Sequence, residues 1–146
     1  MQLKVKRTDP RAQLPARSTS GSAGMDLRAV LDEPLTLTPG GRASVPTGIA
    51  IGLPCAETVG LVFARSGLAI KHGLALSNGV GVIDSDYTGE IRVGLVNLSD
   101  TAYTIEPGER IAQLVIMPVC LPETIEVEEL EQTDRGAGGF GSTGRN

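Results

Sequence analysis

The chain holds no tryptophan, two phenylalanines, two tyrosines, one histidine and two cysteines in its 146 residues. With so little aromatic bulk, a core has to come from Val, Ile, Leu and Ala, and the β-branched share favours strands. A domain of this length buries roughly 70% of its unfolded surface, which is enough for such a core. His72 stands alone, and Cys55 and Cys120 are far apart in sequence, so no Cys/His metal site is expected. No apolar run approaches the length of a membrane span, and the start MQLKVKRTDPR lacks the apolar stretch of a signal peptide. Nor is there an excess of positive charge: the net charge is −4, with scattered Lys and Arg, which argues against a general nucleic-acid binder. The expectation is a single cytoplasmic domain with reduced thiols and neither a membrane nor a nucleic-acid partner.

A long amphipathic helix is also missing. Pro and Gly instead punctuate the chain at short intervals, and apolar stretches lie between them. LTLT, TGIAIGL, ETVGLVFA, GEIRVGLVNL, AYTI, RIAQLVIMPV and TIEVEEL read as strands. In GEIRVGLVNL, Ile91, Val93 and Leu95 alternate with Arg92 and Gly94, the period of a half-buried strand. Pro107-Gly108 reads as a turn between strands, residues 10–24 as a polar loop, and Ser66 to Lys71 as one short helical turn. Many short strands at this spacing imply an all-β sandwich, jelly roll or barrel.

Chemistry concentrates in a few short runs. The tail RGAGGFGSTG carries five glycines, one Arg and one Phe. By composition it is a flexible end. Yet glycines admit phosphate oxygens to backbone N–H groups, Arg supplies a fork for them, and an aromatic stacks on a base. In ARSGLA, Arg65, Ser66 and Gly67 form an anion-binding set at a strand end, or else an ordinary junction with a Ser cap. In SNGVGVIDSDYTGEIRV, apolar arms flank Asp84, Asp86 and Glu90, so a hairpin or paired bend is expected. Three carboxylates so close repel one another unless solvent, a cation or a reaction requires them. The readings are a solvated turn, a calcium loop lacking the remaining ligands, or a carboxylate base that orients water. AGMDLRA sets Asp26 among small and apolar residues, and GERIAQLVI sets Arg110 and Gln113 on a strand, where Arg110 is free to pair with an acid such as Asp26.

Five motifs thus stand in order: AGMDLRA, ARSGLA, GVIDSDYTGE, GERIAQLVI and RGAGGFGSTG. This order resembles that of the trimeric dUTP diphosphatases, from about residue 15 to 144. One departure is Ala64, where many members carry Gly or Pro. The resemblance implies a distorted jelly-roll β-barrel over residues 1–134, a C-terminal arm over 135–146, and a homotrimer in which the arm closes over a site elsewhere. It implies hydrolysis of dUTP to dUMP and diphosphate, with Mg²⁺ on the triphosphate.

Roles follow from the same resemblance. Asp84 is the base for a water attacking the α-phosphorus, and Tyr87 packs against the deoxyribose. Asn78 and the backbone of Gly81, Val82 and Ile83 read the uracil edge. Arg65, Ser66 and Gly67 bind phosphate, and Arg92 lines the substrate. Asp26 and Gln113 hold the metal's water shell or the α-phosphate, with no direct protein ligand to the metal. Arg135, Ser142 and Thr143 grip the γ-phosphate, Phe140 stacks on the uracil, and Gly141 between them also binds the substrate. The alternatives are a dCTP deaminase or bifunctional deaminase–diphosphatase of the same fold, and a non-catalytic nucleotide sensor.

Overall fold

The computed structural model describes residues 2–139. Its elements are β1 (Lys4–Arg7), β2 (Met25–Arg28), β3 (Leu35–Leu37), β4 (Arg42–Gly52), β5 (Thr58–Ala64), α1 (Ser66–His72), β6 (Leu74–Leu76), β7 (Gly81–Ile83), β8 (Glu90–Asn97), β9 (Tyr103–Ile105) and β10 (Arg110–Pro118). One four-stranded sheet runs β1-β4-β8-β6, a second runs β2-β10-β5-β7, and β3 pairs with β9. The ladders are antiparallel. The architecture is an all-β distorted jelly-roll barrel.

The aliphatic composition becomes the core directly. Leu27, Val45, Ile49, Leu74, Leu95, Ile105, Ile111 and Leu114 are almost wholly inaccessible. Burying each such side chain contributes about 1.5–3 kcal/mol. Strand β8 keeps the predicted alternation, with Ile91, Val93 and Leu95 inside and Arg92 exposed. Among the described residues Thr47, Thr58 and Asn97 are the buried polar ones. Buried Asn97 donates to the carbonyls of Leu37 (2.9 Å) and Thr101 (2.8 Å), and its Oδ1 accepts from Ser99 N (2.9 Å) and Ser99 Oγ (2.7 Å). Such full pairing offsets the cost of burying an amide.

The β4–β8 ladder slips between Pro46 and Ala50. Within the slip Gly48 takes φ +63°, and a Cβ there would lie 2.7 Å from that of Ala12. Only glycine tolerates both the dihedral and the contact. Its N–H is taken by Glu90 Oε1 at 2.8 Å.

Six of the seven expected strands form, and the helical turn appears as α1. TIEVEEL does not form a strand: residues 119–127 lack regular structure, and Ile125, Val127 and Leu130 are exposed. A strand needs a hydrogen-bonding neighbour, and among the described residues the segment has none. The run 77–93 is not a closed hairpin either. Its arm β7 pairs with β5, and its arm β8 pairs with β4 and β6. Residues 84–89 therefore carry the chain from one sheet to the other.

Candidate active site

The crossing between sheets creates the first depression. It has a volume of about 300 Å³, and Asn78, Gly81, Val82, Ile83, Asp84, Tyr87, Glu90 and Arg92 line it with Val62 and Leu76. Strand β7 is the last of its sheet, so alternate residues turn their N–H and C=O groups away from β5. Gly81 keeps the floor open, since a Cβ there would meet that of Val62 at 3.1 Å. Asp84 is exposed at the end of β7, and its carbonyl accepts from Tyr87 N at 3.2 Å. Tyr87 Oη in turn donates to the Glu90 carbonyl at 2.9 Å. Arg92 is fixed beside this group by Ser44, with Nη2 to the carbonyl at 2.9 Å and Nε to Oγ at 3.1 Å. Glu90, one of the three crowded carboxylates, receives Arg92 Nη1 at 3.4 Å and the N–H of Gly48. It belongs to the framework.

The second depression, about 340 Å³, lies beyond the end of β5 and is lined by Ser18, Ser22, Ala23, Gly24, Asp26, Arg65, Ser66, Gly67 and Gln113. Pairing of β2 and β5 with β10 brings these sequence-distant groups together, with Asp26 opposite Gln113. Asp26 accepts from Arg65 Nε at 2.9 Å, Arg110 Nη1 at 3.1 Å and Ser18 Oγ at 3.3 Å. Burial alone would raise the pKa of Asp26. The hydrogen bond from Arg110 and the charges of Arg65 and Arg110 outweigh it and hold the carboxyl below its ordinary value. Gln113 Nε2 donates to the Ala64 carbonyl at 3.0 Å, and its Oε1 lies over Gly24, where a Cβ would meet it at 2.5 Å.

Arg65 is the helix N-cap residue and makes no side-chain cap bond. The alternative of a simple serine-capped junction is therefore not what forms at Ser66. Ser18 and Ser22 were not singled out in the sequence, because the loop holding them has no periodicity. The isolated bridge between Ala16 and Asp26 is what draws that loop to the site.

The two depressions share no lining residue. Arg135 lines neither, and its Nε donates to the Gly138 carbonyl at 2.8 Å. Phe140, Gly141, Ser142 and Thr143 lie outside the described residues. Among the described residues no group of three or more His, Cys, Asp or Glu side chains gathers as a metal cage, and no helix is long and apolar enough to cross a membrane.

The protein is thus of the small β-barrel class, with a strand-edge pocket and a separate arginine- and serine-lined hollow. Comparison with known proteins narrows it. A family model of dUTPases matches residues 10–144, and the chain belongs to the dUTPase family. It is 52% identical to the deoxyuridine 5'-triphosphate nucleotidohydrolase of Desulfitobacterium hafniense, with 97% of each chain covered. It is 54% identical to the enzyme of the same name from Albidiferax ferrireducens, with 99% of each covered. Among solved structures, the dUTPase of Staphylococcus bacteriophage 80alpha with dUPNHPP superposes with a TM-score of 0.89 at 33% identity, covering 99% of each chain. A variant dUTPase from phage phi11 of S. aureus, described with a structural Mg(II) ion, gives 0.81 at 28% identity, covering 90% of this chain and all of that one.

Proposed function

We propose that this chain hydrolyses dUTP to dUMP and diphosphate, with the base in the first depression and the phosphates on the second. The observation that carries this reading is the free edge of β7, with Asp84 and Tyr87 beside it. Backbone groups on a strand edge form a fixed row of donors and acceptors for the uracil edge. Cytosine, with donor and acceptor exchanged, leaves buried groups unpaired and is rejected. The Tyr87 ring stands where the deoxyribose packs, leaving no room for a 2′-hydroxyl.

The chemistry asked of the protein is positioning and charge neutralisation. Asp84 takes a proton from a water that attacks the α-phosphorus, the bond to the bridging oxygen breaks, and diphosphate leaves in line. Arg65 and the Ser66–Gly67 segment hold phosphate oxygens, and Arg92 lines the substrate from the wall of the first depression. The arm, residues 135–146, brings Arg135, Phe140, Gly141, Ser142 and Thr143 over the site.

The donors present suit Mg²⁺ through its water shell. A carboxylate offers about four acceptor positions. Three on Asp26 are in use, leaving room for one metal-bound water. Gln113 Oε1 is a second oxygen acceptor in the same hollow. Two such groups orient a hydrated cation without caging it. When bound to the triphosphate, the ion neutralises charge on the phosphate oxygens.

The separation of the two depressions supports a homotrimer, in which the phosphate-binding residues of one copy complement the base pocket of another. The unpaired, exposed segment around Ile125 and Val127 supports contact with a neighbouring copy. Two free, exposed thiols, Cys55 and Cys120, accord with a cytoplasmic setting.

Diphosphate release from dUTP and the four standard dNTPs, with and without Mg²⁺, tests this reading. Release from dUTP alone, reduced by chelation, is the expected result. Ammonia release from dCTP would point to the deaminase instead.

A further inference from the structure

Tyr87 has an exposed ring, 47% accessible, so core packing does not set its position. Two neighbours do. A Cβ built on Gly89 would lie 2.5 Å from Tyr87 Oη, 2.7 Å from Cζ and 3.0 Å from Cε2. The backbone of Gly89 does not take a positive φ, so the dihedral does not demand glycine there. The ring does: it rests on the bare Cα. At this same hydroxyl end of the ring, Oη donates to the carbonyl of Glu90 at 2.9 Å. Glu90 is itself held on two sides. Its Oε1 takes the N–H of Gly48 in the β4 slip, and its Oε2 takes Arg92 Nη1.

We infer that Gly89 and the Glu90 carbonyl form a seat that fixes the height of the Tyr87 ring, making Gly89 a positioning residue for selection of a 2′-deoxy sugar. The inference rests on the reading that Tyr87 packs against the deoxyribose. A methyl at position 89 cannot coexist with the ring where it stands. The backbone around it is anchored in the β8 ladder and the β4 slip, so the ring swings away. Room then opens where a 2′-hydroxyl would go, and discrimination against a ribonucleotide falls. One methyl-sized change in a shape-selective pocket is worth about tenfold or more in selectivity.

The test compares kcat/KM for dUTP and UTP in Gly89→Ala, Tyr87→Ala and the double variant, each checked for folding by circular dichroism. Gly89→Ala is expected to raise the UTP/dUTP ratio about tenfold, mainly through a lower KM for UTP. In the Tyr87→Ala background the same change is expected to have no further effect, because the seat then has nothing to hold. An unchanged ratio in folded Gly89→Ala, or an equal effect with and without the ring, overturns the seat. If Tyr87→Ala alone leaves the ratio unchanged, the reading of Tyr87 falls and the seat falls with it. If Tyr87→Ala relaxes selectivity while Gly89→Ala does not, only the seat falls. Should Gly89→Ala fail to fold, Tyr87→Phe removes the hydrogen bond to Glu90 and keeps the ring. It is expected to raise the ratio severalfold, and an unchanged ratio overturns the seat.

Discussion

Asp26 Oδ1 accepts a hydrogen bond from Arg65 Nε at 2.9 Å. The proposed phosphate-binding arginine is thus aimed by a carboxylate 39 residues away in sequence, and Arg110 braces that carboxylate from its other oxygen. A guanidinium has five N–H donors; here Nε is tied to Asp26 and Nη1 donates to the Arg110 carbonyl at 3.4 Å.

Asp26→Asn is expected to lower kcat/KM for dUTP about 10–100-fold. The amide keeps the shape and loses the charge that orients Arg65 and a metal-bound water. Steady-state kinetics over a range of Mg²⁺ concentrations checks this, with a raised Mg²⁺ requirement as the accompanying sign.

The same pair makes a prediction about acid. The folded pKa of Asp26 is lowered, so its ion pairs stabilise the fold fully above the unfolded value of about 4. That contribution disappears as pH falls through the lower, folded value. The stability difference between the wild type and Asp26→Asn is expected to stay constant from pH 7 to about pH 5 and to shrink only below about pH 4. Denaturant unfolding at several pH values reads it out.

Tyr103 behaves in the opposite sense. Burial, and then the hydrogen bond and charge of Glu109, push its pKa up to about 12. A raised folded pKa means stability that is complete below the unfolded value near 10 and is lost as pH rises through the folded one. Tyr103→Phe is expected to flatten the stability profile between about pH 10 and pH 12. Absorbance titration of tyrosinate, together with unfolding in that window, tests it.

Asn97→Ala is expected to cost about 3 kcal/mol, because the buried Leu37 carbonyl and the N–H of Ser99 lose their side-chain partner, while the Thr101 carbonyl keeps Ser99 Oγ. Urea unfolding measures the loss, and a cost under about 0.5 kcal/mol would show that water replaces the amide without penalty.

Much of this was legible in the sequence. Ile91, Val93 and Leu95 announced the inner face of β8 because a two-residue period survives in sequence. Arg65, Ser66, Gly67 and Asp84 were legible through short motifs. What escaped depends on pairing between distant segments. Residues 81–83 look like one arm of a hairpin, but their partner is β5, and no local period records that. TIEVEEL has the alternation of a strand, but no strand lies beside it among the described residues. β1, β2 and β6 are only three or four residues long, too short for a period to register. Ser18 reaches the site through a single bridge at Ala16. Gly89 was visible as part of a motif, but only the position of the Tyr87 ring gives it a reason.

Removal of the proposed arm is expected to separate catalysis from assembly. Truncation after Asp134 is expected to lower the rate about 10²-fold or more, through loss of charge-stabilising donors, while sedimentation still reports a trimer. A monomer would make the arm structural instead.

The central claim is that Asp84 activates the attacking water. The direct measurement is Asp84→Asn, followed by dUTP turnover and by calorimetric binding of a non-hydrolysable dUTP analogue. The account predicts turnover lower by a factor of about 10² to 10⁴ with analogue binding retained. Turnover like that of the wild type would contradict it.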